Sequence, residues 1–96
     1  RFINAHYAED INLDSLAQEV FVSTYYLSHL FRREMGVTFS DYLAKVRVEK
    51  AKALLMEGVS VESTSERVGY NDSNYFIKIF KKYVGVTPAK YRKSLN

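Results

Sequence analysis

The chain has 96 residues, 47% hydrophobic and 15% aromatic, with 26% charged side chains, which is enough apolar material for one small packed domain and too little polarity for a disordered tail. It lacks cysteine, which excludes disulfides, thiol chemistry and sulfur-ligated metals, and His29 has no second ligand at helical spacing, so no metal or cofactor is expected. The net charge of +3 is unevenly placed: residues 1–58 hold seven basic against eight acidic side chains, and residues 59–96 hold seven against three.

The positive excess sits mostly in Lys78, Lys81, Lys82, Lys90, Arg92 and Lys93, which points to a polyanionic partner or to a solvated helix face. No apolar run approaches the roughly 18 residues of a membrane span, and no signal-peptide pattern opens the chain, so no membrane partner is expected and a cytoplasmic setting fits. The chain starts with Arg1 inside a helix-like stretch, RFINAHY, and reads as a fragment of a longer protein.

In chain order, a short helix is expected over about 1–7. Asn12 can cap a helix over 13–20, with Leu13, Leu16, Ala17 and Val20 on one face. Ser23 can cap the next, over 24–35, with Leu27, Leu30 and Phe31 inward and Gly36 suited to a left-handed stop. Thr38 precedes a long helix over 39–57, where Asp41 approximates a capping box and Tyr42, Leu43, Val46, Ala53, Leu54 and Leu55 supply apolar surface. Gly58 ends it. Ser60 then caps about 61–68, Asp72 caps about 73–84, Gly85 stops that helix, and Thr87-Pro88 opens the last one. No segment alternates long enough for a strand, so the fold is expected to be all-α.

A repeat runs through these elements. At an offset of 49, YLSHLFRREMGVTFSDY (26–42) lies over YFIKIFKKYVGVTPAKY (75–91), with six of seventeen positions identical: Tyr26/Tyr75, Phe31/Phe80, Gly36/Gly85, Val37/Val86, Thr38/Thr87 and Tyr42/Tyr91. Each copy also reads as a helix-turn-helix, which needs a small residue in its first helix where the second crosses. Ala17 fills that place within a frame of Leu16, Val20, Val22, Leu27 and Leu30. In the second copy Ser65 does so, within Thr64, Val68, Tyr70, Phe76 and Ile79. The second turn contains Gly69 and is one residue longer.

The segments LAQEVFVSTYYLSHLFRREMGVTFSDYLAKVRVEKAKALL and VGYNDSNYFIKIFKKYVGVTPAKYR resemble the C-terminal DNA-binding domain of the AraC/XylS family of bacterial transcription regulators. The resemblance covers essentially the whole chain and implies about seven helices. It divides them into a first helix-turn-helix subdomain over 1–38, a linker helix over 39–57 and a second subdomain over 58–96. It also implies an N-terminal sensor or receiver domain missing from this fragment, and RNA polymerase as a candidate second partner. Three positions depart from the family pattern. Thr64 and Ser65 stand where an aliphatic residue and Ala are usual, so a buried hydroxyl could loosen the second subdomain. Phe21 occupies a turn position often given to a smaller residue.

With Leu27, Leu30 and Phe31 inward, Thr24, Tyr25, Ser28, His29 and Arg32 share the outer face of the first recognition helix. The resemblance makes Tyr25, Ser28 and His29 base-reading positions, with surface packing as the competing role. On the second, Ser73, Asn74, Ile77 and Lys78 are groove-facing candidates: Asn pairs with adenine, Lys donates to guanine, and an exposed Ile can lie on a thymine methyl or cover a neighbouring helix. Arg32, Arg33, Lys81 and Lys82 lie one turn on, at phosphate reach, and Ser23 joins them as a cap whose helix N-terminus favours phosphate. Tyr26 and Tyr75 read as packing residues that could also bond phosphate.

The linker helix, about 18 residues, is on the order of 27 Å long, against roughly 34 Å between successive major grooves. A monomer on an asymmetric two-box duplex site is therefore expected. A protein-interaction module is the rival from another class. An enzyme is disfavoured, because the chain shows no triad-like grouping and no Gly-rich phosphate loop. RNA binding lacks a sheet platform for stacking bases.

Overall fold

The computed structural model describes residues 6–9 and 11–94, which form six helices and, among the described residues, no strand. These are α1 (Leu13–Glu19), α2 (Thr24–Met35), α3 (Phe39–Met56), α4 (Val61–Arg67), α5 (Ser73–Val84) and α6 (Pro88–Ser94). Most of the helix expected over 1–7 lies outside the described residues; His6 is helical and Tyr7 already turns away.

Local chemistry sets the boundaries. The Oδ1 of Asn12 accepts from the Ser15 amide at 2.9 Å and Ser15 Oγ accepts in return from the Asn12 amide, a capping box that satisfies two otherwise orphan donors. Ser23, Thr38 and Ser60 each accept from the amide three residues on, Asp72 accepts from Asn74, and Thr87 accepts from Lys90. Asp41, expected to reach back to Thr38, instead takes a bond from the Tyr83 hydroxyl at 3.3 Å, which ties the start of α3 to the end of α5. The repeated glycines stop the two recognition helices alike: Gly36 (φ 79°) and Gly85 (φ 96°) are left-handed and donate to Arg32 and Lys81 carbonyls.

Two helix-turn-helix units, α1–α2 and α4–α5, flank α3, and α6 closes the second. The molecule is elongated, 47 × 22 × 21 Å. Helix α3 feeds two cores. Phe39 and Leu43 anchor one, with Leu13, Leu16, Phe31, Tyr42 and Val46 packed around them. Val48, Ala51 and Leu55 anchor the other with Val68, Tyr70, Phe76 and Phe80. The repeat reappears as ring geometry: Phe31 meets Tyr42 edge-on at 5.7 Å, and Phe80 meets Tyr91 edge-on at 5.6 Å.

Three packing expectations need correction. Val20 is 57% exposed, because α1 ends at Glu19 and the chain turns before Val20 can point inward. Ala53 is exposed, and the face of α3 that is buried carries Val48 and Ala51 instead. The second unit is also the better packed one, despite its two hydroxyls. It holds the larger buried cluster, whereas no residue of α2 is fully buried. Ser65 Oγ donates to the Tyr70 carbonyl at 3.4 Å, but the fully buried Thr64 Oγ1 has no hydrogen-bond partner.

Phe21 is the only described non-glycine residue with positive φ (59°), and it is 93% exposed. Its counterpart in the second turn is Gly69 (φ 104°), where no Cβ opposes the left-handed backbone. Two stability changes follow. Thr64→Val should raise unfolding stability by about 1 kcal/mol in chemical denaturation, because it removes an unsatisfied buried hydroxyl at constant shape; a loss of stability would show that the hydroxyl has a partner. Phe21→Gly should also stabilise, by roughly 0.5–1 kcal/mol, through relief of the left-handed strain, and a clear loss would mean that the exposed ring packs on something.

Candidate nucleic-acid interface

Amphipathic spacing decides which side chains α2 and α5 present. Leu27, Leu30 and Phe31 are half-buried against the rest of the first unit, leaving Thr24, Tyr25, Ser28, His29, Arg32 and Arg33 exposed. Phe76 and Phe80 are fully buried and Ile79 half-buried, leaving Asn74, Lys78, Lys81 and Lys82 exposed. Each recognition helix thus shows solvent a polar stripe followed, one turn on, by two adjacent cations. Arg33 lies 3.5 Å from Glu34, an exposed pair of little energetic weight that leaves the guanidinium available.

Three candidates sit differently from the rest. The Thr24 hydroxyl donates to Asp14 Oδ1 at 2.7 Å, so it braces α2 against α1 and its one O–H is no longer there to donate outward. Ser73 is half-buried at the start of α5. Ile77 is half-buried and packs against the core of the second unit, which favours the helix-covering role over a base contact. Ser23 Oγ accepts from the Tyr26 amide, which leaves its own O–H free to donate outward.

Sequence reasoning missed a pairing on α2. The rings of Tyr25 and His29 lie 4.2 Å apart, centroid to centroid, tilted by 57°. Their spacing of four residues was the available signal, since such residues meet on one helix face. Two rings in contact lose less rotamer entropy on docking than two independent side chains. Tyr26 and Tyr75, expected to pack, are 54% and 52% exposed; Tyr75 touches Tyr70 edge-on at 5.8 Å, and each hydroxyl is left for an outside acceptor.

Not every basic residue contributes to an anionic surface. Arg92 donates to the Gly58 carbonyl at 2.9 Å and so caps the end of α3 from α6. Arg47, on α3, donates to two carbonyls of the segment before α1. Two phenols have pKa values above the usual 10. Burial pushes Tyr70 up against the opposing pull of Arg47, and desolvation pushes Tyr83 up together with the negative charge of Asp41. Both phenols therefore stay neutral hydrogen-bonding groups at physiological pH. Among the described residues no cluster of ligands could hold a metal, and no helix is long and apolar enough to cross a membrane.

Two basic-ended recognition helices on one elongated scaffold match known proteins along nearly the whole chain. A family model described as a helix-turn-helix domain covers residues 16–94. The Arabinose operon regulatory protein of Escherichia coli (strain K12) is 33% identical over 94 residues, covering 96% of this chain and 32% of that protein. The chain belongs to the AraC/XylS family. The C-terminal domain of AraT, a response regulator from Geobacillus stearothermophilus, has the same fold at TM-score 0.93 and 39% identity, with 97% of this chain and 78% of that one covered. The DNA-binding domain of AdpA, a global transcriptional factor solved in complex with a target DNA, matches at TM-score 0.91 and 26% identity over 97% of this chain and 85% of that one. The chain spans between 12% and 57% of the length of these curated relatives, and about a third of the arabinose operon regulator.

If Thr24 braces this AraC-family domain rather than reading bases, Thr24→Val should cost about 1 kcal/mol of stability and leave duplex preference unchanged. A changed preference at constant stability would return Thr24 to the reading face.

Proposed function

We propose that this domain binds double-stranded DNA sequence-selectively in bacterial transcription regulation, with α2 and α5 inserted into adjacent major grooves. The observation that carries the proposal is the duplicated unit at the two halves of an 18-residue helix within a 47 Å long molecule. A helix of that length, on the order of 27 Å, suits grooves roughly 34 Å apart once the width of the flanking units is added. The relationship to AdpA, solved with its target DNA, supports the same reading. The division of labour is 1–38 for one box, 39–57 as spacer and 58–96 for the other.

Tyr25, Ser28 and His29 read bases in the first box, Asn74 and Lys78 in the second, and Ser73 and Ile77 play a smaller part because they are half-buried. Arg32, Arg33, Lys81 and Lys82 hold phosphates, with Ser23 adding an O–H at the start of α2. These contacts supply affinity and salt dependence, and the base-facing side chains supply selectivity. The domain acts by binding, without catalysis, in the cytoplasm where its DNA lies. The PocR and arabinose operon regulators it resembles are about three times longer, and AraT is described as a response regulator, so a sensor or receiver unit in the parent protein completes the proposal. RNA polymerase is a candidate second partner of the whole regulator.

The test is selection from a random duplex pool at near-physiological salt. A recovered motif of two boxes about 10 base pairs apart supports the reading, and recovery of no motif contradicts it. On the selected duplex, replacing both His29 and Lys78 with Ala should reduce selective binding by roughly 100-fold or more at unchanged helicity, since each lost base contact is worth about 1–3 kcal/mol. An unaltered site preference would remove these two residues from the reading face.

A further inference from the structure

The two cores are built on successive stretches of α3, and one of the groups that join them was not expected from the sequence. Arg47 leaves α3 between Val46, packed against the first core, and Val48, in the second. Its Nε donates to the Tyr7 carbonyl at 2.7 Å and its Nη2 to the Glu9 carbonyl at 3.0 Å. Its guanidinium carbon also stands 4.9 Å from the centroid of the buried Tyr70 ring, just after the turn of the second helix-turn-helix unit. The Tyr7 side chain packs against both cores. Gly69, in that same turn, lets the arm come close: a Cβ there would stand 3.0 Å from the Ala8 carbonyl oxygen and 3.1 Å from the Arg47 guanidinium carbon.

We propose that Arg47, with the Tyr7–Glu9 arm and the Gly69–Tyr70 turn, is a positioning clasp that sets the separation and rotation of the two recognition helices, and hence the box spacing the domain accepts. The arm lies directly before α1, so a guanidinium bonded to the arm and stacked on Tyr70 links the first unit to the second outside the α3 backbone. A helix alone resists bending but leaves the unit at its far end free to rock about side-chain contacts. The planar fork of arginine suits the task because it donates in two directions while its face lies on an aromatic ring. A lysine could occupy the same space but could not reach both carbonyls from one rigid plane. Tyr83 bonded to Asp41 adds a second, weaker tie between the same two ends.

The inference rests on the two-box reading, and the experiment separates the two. Wild-type protein, Arg47→Met and Arg47→Lys are measured against duplexes whose boxes are moved stepwise through half a helical turn, and against each single box. Wild type should lose roughly 100-fold in affinity at about half a turn of misalignment, because one unit can no longer engage. Arg47→Met should bind each single box within about twofold of wild type yet lose affinity for the optimal spacing, and its penalty at half a turn should shrink to roughly tenfold or less. Arg47→Lys should fall between them. If wild type shows no two-box preference, the functional reading has failed. If wild type shows it and Arg47→Met keeps the full spacing penalty, the clasp is wrong. Loss of the helical circular-dichroism signal in both variants would also overturn it, since Arg47 would then be a folding residue.

Discussion

Helix α3 puts apolar residues into two separate cores, Phe39 and Leu43 toward one end, Val48, Ala51 and Leu55 toward the other. The rest of the molecule depends on this arrangement. Each helix-turn-helix unit is too small to bury a core alone; each uses a stretch of α3 as its third wall. The same rod therefore stabilises both units and spaces them, so neither can move far along α3 without exposing its own core. Burial and separation are one constraint.

The units are alike in plan and unlike in strength. Phe76 and Phe80 are fully buried where their counterparts on α2, Leu27 and Phe31, are only half-covered. The second unit also holds the excess positive charge. Its Thr64 and Ser65 introduce polarity into a well-packed site, whereas the first unit carries its irregularity outside, in the exposed left-handed Phe21. The better-packed unit is thus also the more basic one, and the first carries the tilted Tyr25–His29 pair on its exposed face.

Much of the fold could be read from the residues because its signals are local. A side-chain oxygen before each helix and a glycine after each recognition helix fix boundaries within a turn, and the 49-residue offset pairs Phe31 with Phe80 and Gly36 with Gly85 before any coordinates exist. The outward stripe of α2 followed from the inward spacing of Leu27, Leu30 and Phe31. Signals failed where the answer is not periodic. Val20 fits the helical face but falls after the last turn of α1. Thr24 lies on the exposed face as its spacing implies, but its bond to Asp14, ten residues back, had no periodic signal. The Arg47 contacts span about forty positions between a charged side chain and backbone carbonyls, and no spacing rule marks such a pair.

Two recognition helices at a fixed separation should leave their mark on DNA directly. Hydroxyl-radical footprinting of a selected duplex reports which sugars the bound protein covers. Two protected patches on one face of the helix, centred about 10 base pairs apart, are the predicted result for a single bound domain. One continuous patch, or two patches out of phase with the helical repeat, would contradict the account.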